Sequence, residues 1–139
     1  MKTVLINIII LFLTVNLSGQ NLLGYKPNRI EKYLSSNYKY LVKDSNSKNE
    51  YYKYLKYTDG TSGTTTIYFF LSDDNKCTRI KRMHVHSMKD EVIEELDSLY
   101  TREGENTWSD RHKGIQAVIK LVNEEWFFTV TIEPEKRNE

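Results

Sequence analysis

His84 and His86 stand two residues apart, and Glu91 follows five residues after the second histidine, in the run "MHVHSMKDE". On a strand, residues two apart point the same way, separated by about 6.6 Å at roughly 3.3 Å per residue. Both imidazoles could then reach one ion at a Zn–N distance of about 2.0–2.1 Å. A zinc site takes three or four protein ligands, so Glu91, Asp90 or His112 would have to complete the set. The competing expectation is a strand that ends here and a helix that begins at Ser87. A carboxylate such as Glu91 in a first helical turn is stabilised by the helix dipole without any metal.

The spacing from His84 to Glu91 resembles the H-x-H-x(3,4)-E core of the first metal motif of the cupin family. The resemblance spans eight residues. It implies a metal held by His84, His86 and Glu91 in a β-barrel. Thr78 and Ser98 occupy the positions of the family's framing glycines, and its second motif has no counterpart.

Other chemistries leave less trace. The chain has no glycine-framed nucleophilic serine, no P-loop and no paired-carboxylate motif. "DGTSGTT" (59–65) could offer backbone amides to an anion, but glycine-threonine turns are ordinary between strands. "SDDNK" lacks the spacing and glycine of a calcium loop. No cofactor is expected, and a non-enzymatic role is favoured over an enzymatic one.

These residues need elements to position them. Residues 1–20 carry Lys2, an apolar run from Val4 to Val15 and then Leu17-Ser18-Gly19, the pattern of a secretory signal peptide. The run is shorter than the roughly 20 apolar residues of a spanning helix, so no stable membrane insertion is expected after cleavage. The mature chain, 21–139, is expected to be one periplasmic or secreted domain. Lys2 is the only charge in the leader, so the remainder carries 19 basic and 19 acidic side chains. That balance gives no electrostatic footprint for nucleic acid. Cys77 is the only cysteine, which rules out an intrachain disulfide and points to a small core residue.

"KPNRIEKYLSSN" reads as a helix with proline in its first turn. "YKYLVK", "YYKYLKYT", "TIYFFLS" and "CTRIKRMHVH" read as four strands. Ser87 to Asp90 has the capping-box pattern, and Val92, Ile93, Leu96, Leu99 and Tyr100 follow at helical spacing. "REGENTWSDRHKG" is expected as a loop, and two alternating strands from Ile115 to Ile132 as a hairpin. No internal repeat is visible. The expected fold is two-layer α+β in the order α-β-β-β-β-α-β-β: about six antiparallel strands with two helices on one face.

Alternation assigns Leu55, Ile67, Phe69, Met83, Val85, Ile119, Phe128 and Val130 to the core. It sends Tyr52, Tyr54, Tyr68, Phe70, Arg82, His84, His86, Val118, Lys120 and Phe127 outward. Ile80 has the wrong parity for that scheme, which calls for a bulge in the fourth strand. Tyrosine, phenylalanine and arginine are enriched in recognition surfaces, although aromatic pairs also stabilise sheets without any ligand. The leading expectation is a binding module that recognises a protein, peptide or glycan through this face and the Trp108 loop. A metal protein using His84 and His86, and a structural subunit of an envelope assembly, are the alternatives. The layout is similar to that of β-lactamase-inhibitor-like and PepSY-type domains, which implies a binding or inhibitory role.

Overall fold

Pro27 opens the first helix, α1 (Pro27–Asn37), with its missing N–H at a position that has no helical partner anyway. In the computed structural model, residues 21–45, 51–60, 62–111 and 114–137 are described. The leader and His112 lie outside them. α1 buries Ile30 and Leu34, one turn apart, and leaves the charged residues between them to solvent.

Four strands follow: β1 (Val42–Lys43), β2 (Tyr54–Thr58), β3 (Thr65–Leu71) and β4 (Cys77–Val85). A short 3-10 turn, His86–Met88, leads directly into α2 (Lys89–Leu99). Ser87 lies within that turn, so the expected capping box does not form and no side chain caps α2. Asp90 and Glu91 occupy its first turn, where the dipole favours them. Four more strands complete the chain: β5 (Thr101–Gly104), β6 (Thr107–Asp110), β7 (Ala117–Asn123) and β8 (Phe127–Pro134).

All eight strands form one antiparallel sheet in the order β1-β2-β3-β4-β8-β7-β6-β5. The fold is α+β, but with eight strands where six were expected. The extra pair, β5 and β6, occupies the segment expected as a loop. It was hidden because each strand is only four residues long and β5 is exposed throughout. β6 is held by its pairing with β7, which sets Trp108 beside Ile119.

The order of elements also repeats. Each half of the chain is an eleven-residue helix followed by four strands, and the last strands of the two halves, β4 and β8, pair at the centre. Ile30 and Leu34 in α1 match Val92 and Leu96 in α2, both pairs buried. Each helix ends alike, with a tyrosine amide (Tyr38 or Tyr100) donating to the leucine carbonyl four residues back. No trace of this appears in the residue sequence beyond those positions.

Both helices lie over one face of the sheet. Their buried residues join Tyr57, Ile67, Phe69, Ile80, Trp108, Ile119 and Ile132 in a single cluster. Cys77 belongs to it, and burial raises its thiol pKa to about 11. The expected irregularity in the fourth strand is present: Phe70 pairs with Arg79 and Leu71 with Cys77, so Thr78 is an extra residue. Its consequence overturns the assumed facing. Ile80 lies under the helices, and with it Arg82 and His84, whereas Met83 and Val85 turn to the other face.

The two tryptophans are placed oppositely, Trp108 fully buried and Trp126 78% exposed. A Trp108→Phe variant is expected to retain emission that iodide quenches freely. A Trp126→Phe variant should leave emission that iodide barely reaches until the chain is unfolded in urea. Easy quenching of Trp108 in the folded state would contradict this packing.

Candidate functional site

Arg82 carries a charge into the interior, and a chain of polar contacts receives it. Its Nη1 and Nη2 donate to the two carboxylate oxygens of Glu95 on α2, at 3.2 and 2.9 Å. The Tyr38 hydroxyl donates to the same carboxylate at 3.0 Å. Burial alone would push the Glu95 pKa up, but Arg82 and these hydrogen bonds bring it below its usual value. Arg82 Nε donates to His84 Nε2 at 3.2 Å, which leaves the His84 proton on Nδ1. Nδ1–H then faces Thr65 Oγ1 at 3.0 Å, and that hydroxyl donates onward to Met88 Sδ at 3.5 Å.

Both ring nitrogens of His84 are therefore occupied, and its ring stacks on Phe128. His86 stands outside β4, in the 3-10 turn, where Nε2–H donates to the Glu124 carbonyl at 3.0 Å. Phe128 neighbours both imidazoles, at 5.2 and 6.4 Å between ring centroids, but their nitrogens point to different partners. Glu91 is exposed on α2. Among the described residues, no three of His, Cys, Asp or Glu are grouped so as to hold a metal ion. The H-x-H spacing expected to be co-facial is broken because the strand ends at Val85.

The turn expected as a possible anion cradle is filled from within. The Asp59 carboxylate accepts from the Ser62 and Thr64 hydroxyls and from the amides of Thr64 and Thr65. Partial burial would raise its pKa, yet these bonds hold it down at about 2. The cavity between helices and sheet, lined in part by Tyr38, Arg82 and Tyr100, measures about 50 Å³. That is room for a water, not a substrate.

Among the described residues, no helix lies over the opposite face of the sheet. Tyr54, Tyr68 and Phe70 meet there, with Tyr54 edge-on to Tyr68 at 5.5 Å and Tyr68 stacked on Phe70 at 6.1 Å. Arg79 lies over the Phe70 ring at 4.4 Å, and Lys56 near Tyr68 at 5.9 Å. Lys81, Met83, Val85, Val118, Lys120 and Phe127 share this face by register. Tyr52 is 65% exposed just before β2.

Of the expected recognition residues, the structure thus gathers Tyr54, Tyr68 and Phe70 with Val118, Lys120 and Phe127 on the open face. It withdraws Arg82 and His84 to the helix side. Trp108 is no loop residue either: it is buried in β6, its Nε1 donating to Asp97 at 2.8 Å. Arg79, Lys81, Met83 and Val85 are the β4 residues of this face that alternation missed. The parity of Ile80 was the available signal for them.

Comparison of the chain with protein-family models, with curated proteins and with solved structures finds no match.

Burial, and secondarily the Arg82 charge, lower the His84 pKa from 6.5 to about 4. The unfolded imidazole gains a proton on acidification that the folded one refuses. Stability is therefore lost as pH falls from 6.5 towards 4, by up to about 3 kcal/mol at roughly 1.4 kcal/mol per pKa unit. Urea midpoints at pH 7 and pH 4.5 are expected to differ markedly for the native chain and much less for His84→Gln. Equal pH dependence in the two proteins would place the titrating group elsewhere.

Proposed function

We propose that the chain is an exported, non-enzymatic binding module that takes a protein, peptide or glycan on the open face of its sheet. The observation that carries this reading is the chemistry of that face. A sheet with one side in water normally carries polar residues there. Here it carries three mutually packed rings with cations beside them. Tyrosine offers a large contact area with few torsions to freeze, and its hydroxyl keeps an uncovered face wettable.

Export rests on the leader pattern of residues 1–20, and delivery to the periplasm or the exterior follows from it. Among the described residues, no helix is long and apolar enough to cross a membrane.

The test is a side-by-side screen of the wild type and a Tyr54→Ser/Tyr68→Ser double variant on glycan and peptide arrays. Removal of two half-exposed rings is expected to leave the circular-dichroism spectrum unchanged and to abolish the wild-type hits. Hits that survive in the folded double variant would move the site off this face. Collapse of the fold would make the rings structural.

A further inference from the structure

Besides its rings, the open face is crossed by a straight row of amines and hydroxyls. Pairing sets Lys56 beside Tyr68 and Tyr68 beside Lys81. It continues with Lys81 beside Thr131, Thr131 beside Lys120, and Lys120 beside Thr107. Six adjacent strands thus contribute one residue each, at about 4.8 Å per strand, in a line about 24 Å long. An amine recurs on every second strand, about 9.6 Å from the next, with a hydroxyl between.

The charges on this row are only partly consumed by the protein itself. Lys56 pairs with Asp44 at 3.1 Å, which holds its pKa up. Lys81 and Lys120 make no ion pair among the described residues. Arg79, beside the row, is engaged by the Phe70 ring and, among the described residues, by no carboxylate.

Three kinds of occupant can be weighed against that pattern. A second copy of the chain would set lysines against lysines, which costs free energy. The centre of a protein interface is depleted in lysine and serine and is built on apolar anchors. Here Lys81, Thr131 and Lys120 cross the middle of the face, with Met83, Val85, Val118 and Phe127 beside the row. A linear chain of sugar acids fits better, because each ring carries hydroxyls, and its carboxylates need cations that stay partly hydrated.

Resting on the open-face reading, we infer that the face binds a linear acidic polysaccharide of uronic-acid sugars, laid across the strands along the Lys56–Thr107 row. Lys81 and Lys120 pair with its carboxylates. Tyr68 and Thr131 hydrogen-bond its hydroxyls, and Tyr54 and Phe70 supply the apolar flank.

Affinity electrophoresis of the purified protein in native gels containing polygalacturonate, dextran or poly-L-glutamate tests this, with phosphatidylglycerol vesicles in a parallel sedimentation assay. Retardation is expected with polygalacturonate alone, weakening as salt is raised. It should fall at least tenfold in a Lys81→Gln/Lys120→Gln variant, whose substituted side chains hold no ion pair that folding needs. Failure of polygalacturonate to retard the wild type, or equal retardation of the variant, would overturn the inference. Equally tight binding of poly-L-glutamate or of the vesicles would also sink it, since charge alone would then suffice. Should polygalacturonate fail while the tyrosine variant still loses its array hits, the sugar-acid assignment falls and the open face stands.

Discussion

The bidentate contact between Arg82 and Glu95 allows a charged strand residue to face the helices. The Arg82 side chain is only 11% exposed, so a guanidinium without a carboxylate there would carry a heavy desolvation cost. Glu95 sits on α2 and is braced by Tyr38, which follows α1, so the same carboxylate ties both helices to the central strand. His84 and Thr65 extend the contact along the sheet in one direction of donation, from Arg82 Nε to the Met88 sulfur. Each donor has an acceptor. A polar interior satisfied in this way fixes how the helices sit over the sheet, which an apolar cluster alone specifies less sharply.

The extra residue at Thr78 makes that arrangement possible. With Cys77 and Ile80 three apart and both buried, the strand changes parity between them. Arg82 and His84 then arrive under α2, while Arg79, Lys81 and Met83 are turned to the uncovered side. One inserted residue thus builds the buried polar chain and loads the opposite face with cations. The two faces are coupled through this strand. A slip of one residue would exchange a paired guanidinium for a methionine and strand Glu95 without its cation.

Much of this was legible in the residue pattern, and the rest was not for identifiable reasons. Both helices, the β3 and β4 strands and the final hairpin announce themselves through periodicity. The aromatic set Tyr54, Tyr68 and Phe70 does so through alternation. Facing in β4 failed because hydrophobicity favours Met83 and Val85 inward, and only a long-range partner, Glu95, makes Arg82 acceptable there. β5 and β6 escaped because four-residue strands have too little pattern to register. Trp108 looked like an exposed loop anchor for the same reason. The repeated helix-and-four-strand order was invisible because the halves share buried positions and only a few residue identities, such as Leu34 with Leu96 and Tyr38 with Tyr100.

The open face differs from the flanking exposed aromatics in one physical respect. Tyr52 and Trp126 project into solvent, and a ligand that used them would have to order them. Tyr54, Tyr68 and Phe70 already restrain one another, and Arg79 lies on Phe70 before any ligand arrives. Binding loses less entropy where side chains are held in place beforehand. Lys81 and Lys120 rise from the most extensively paired strands of the sheet, so the spacing of their backbone positions is fixed by register. On the binding reading proposed above, a ligand is selected by how its charges match a row whose backbone positions no loop movement can shift.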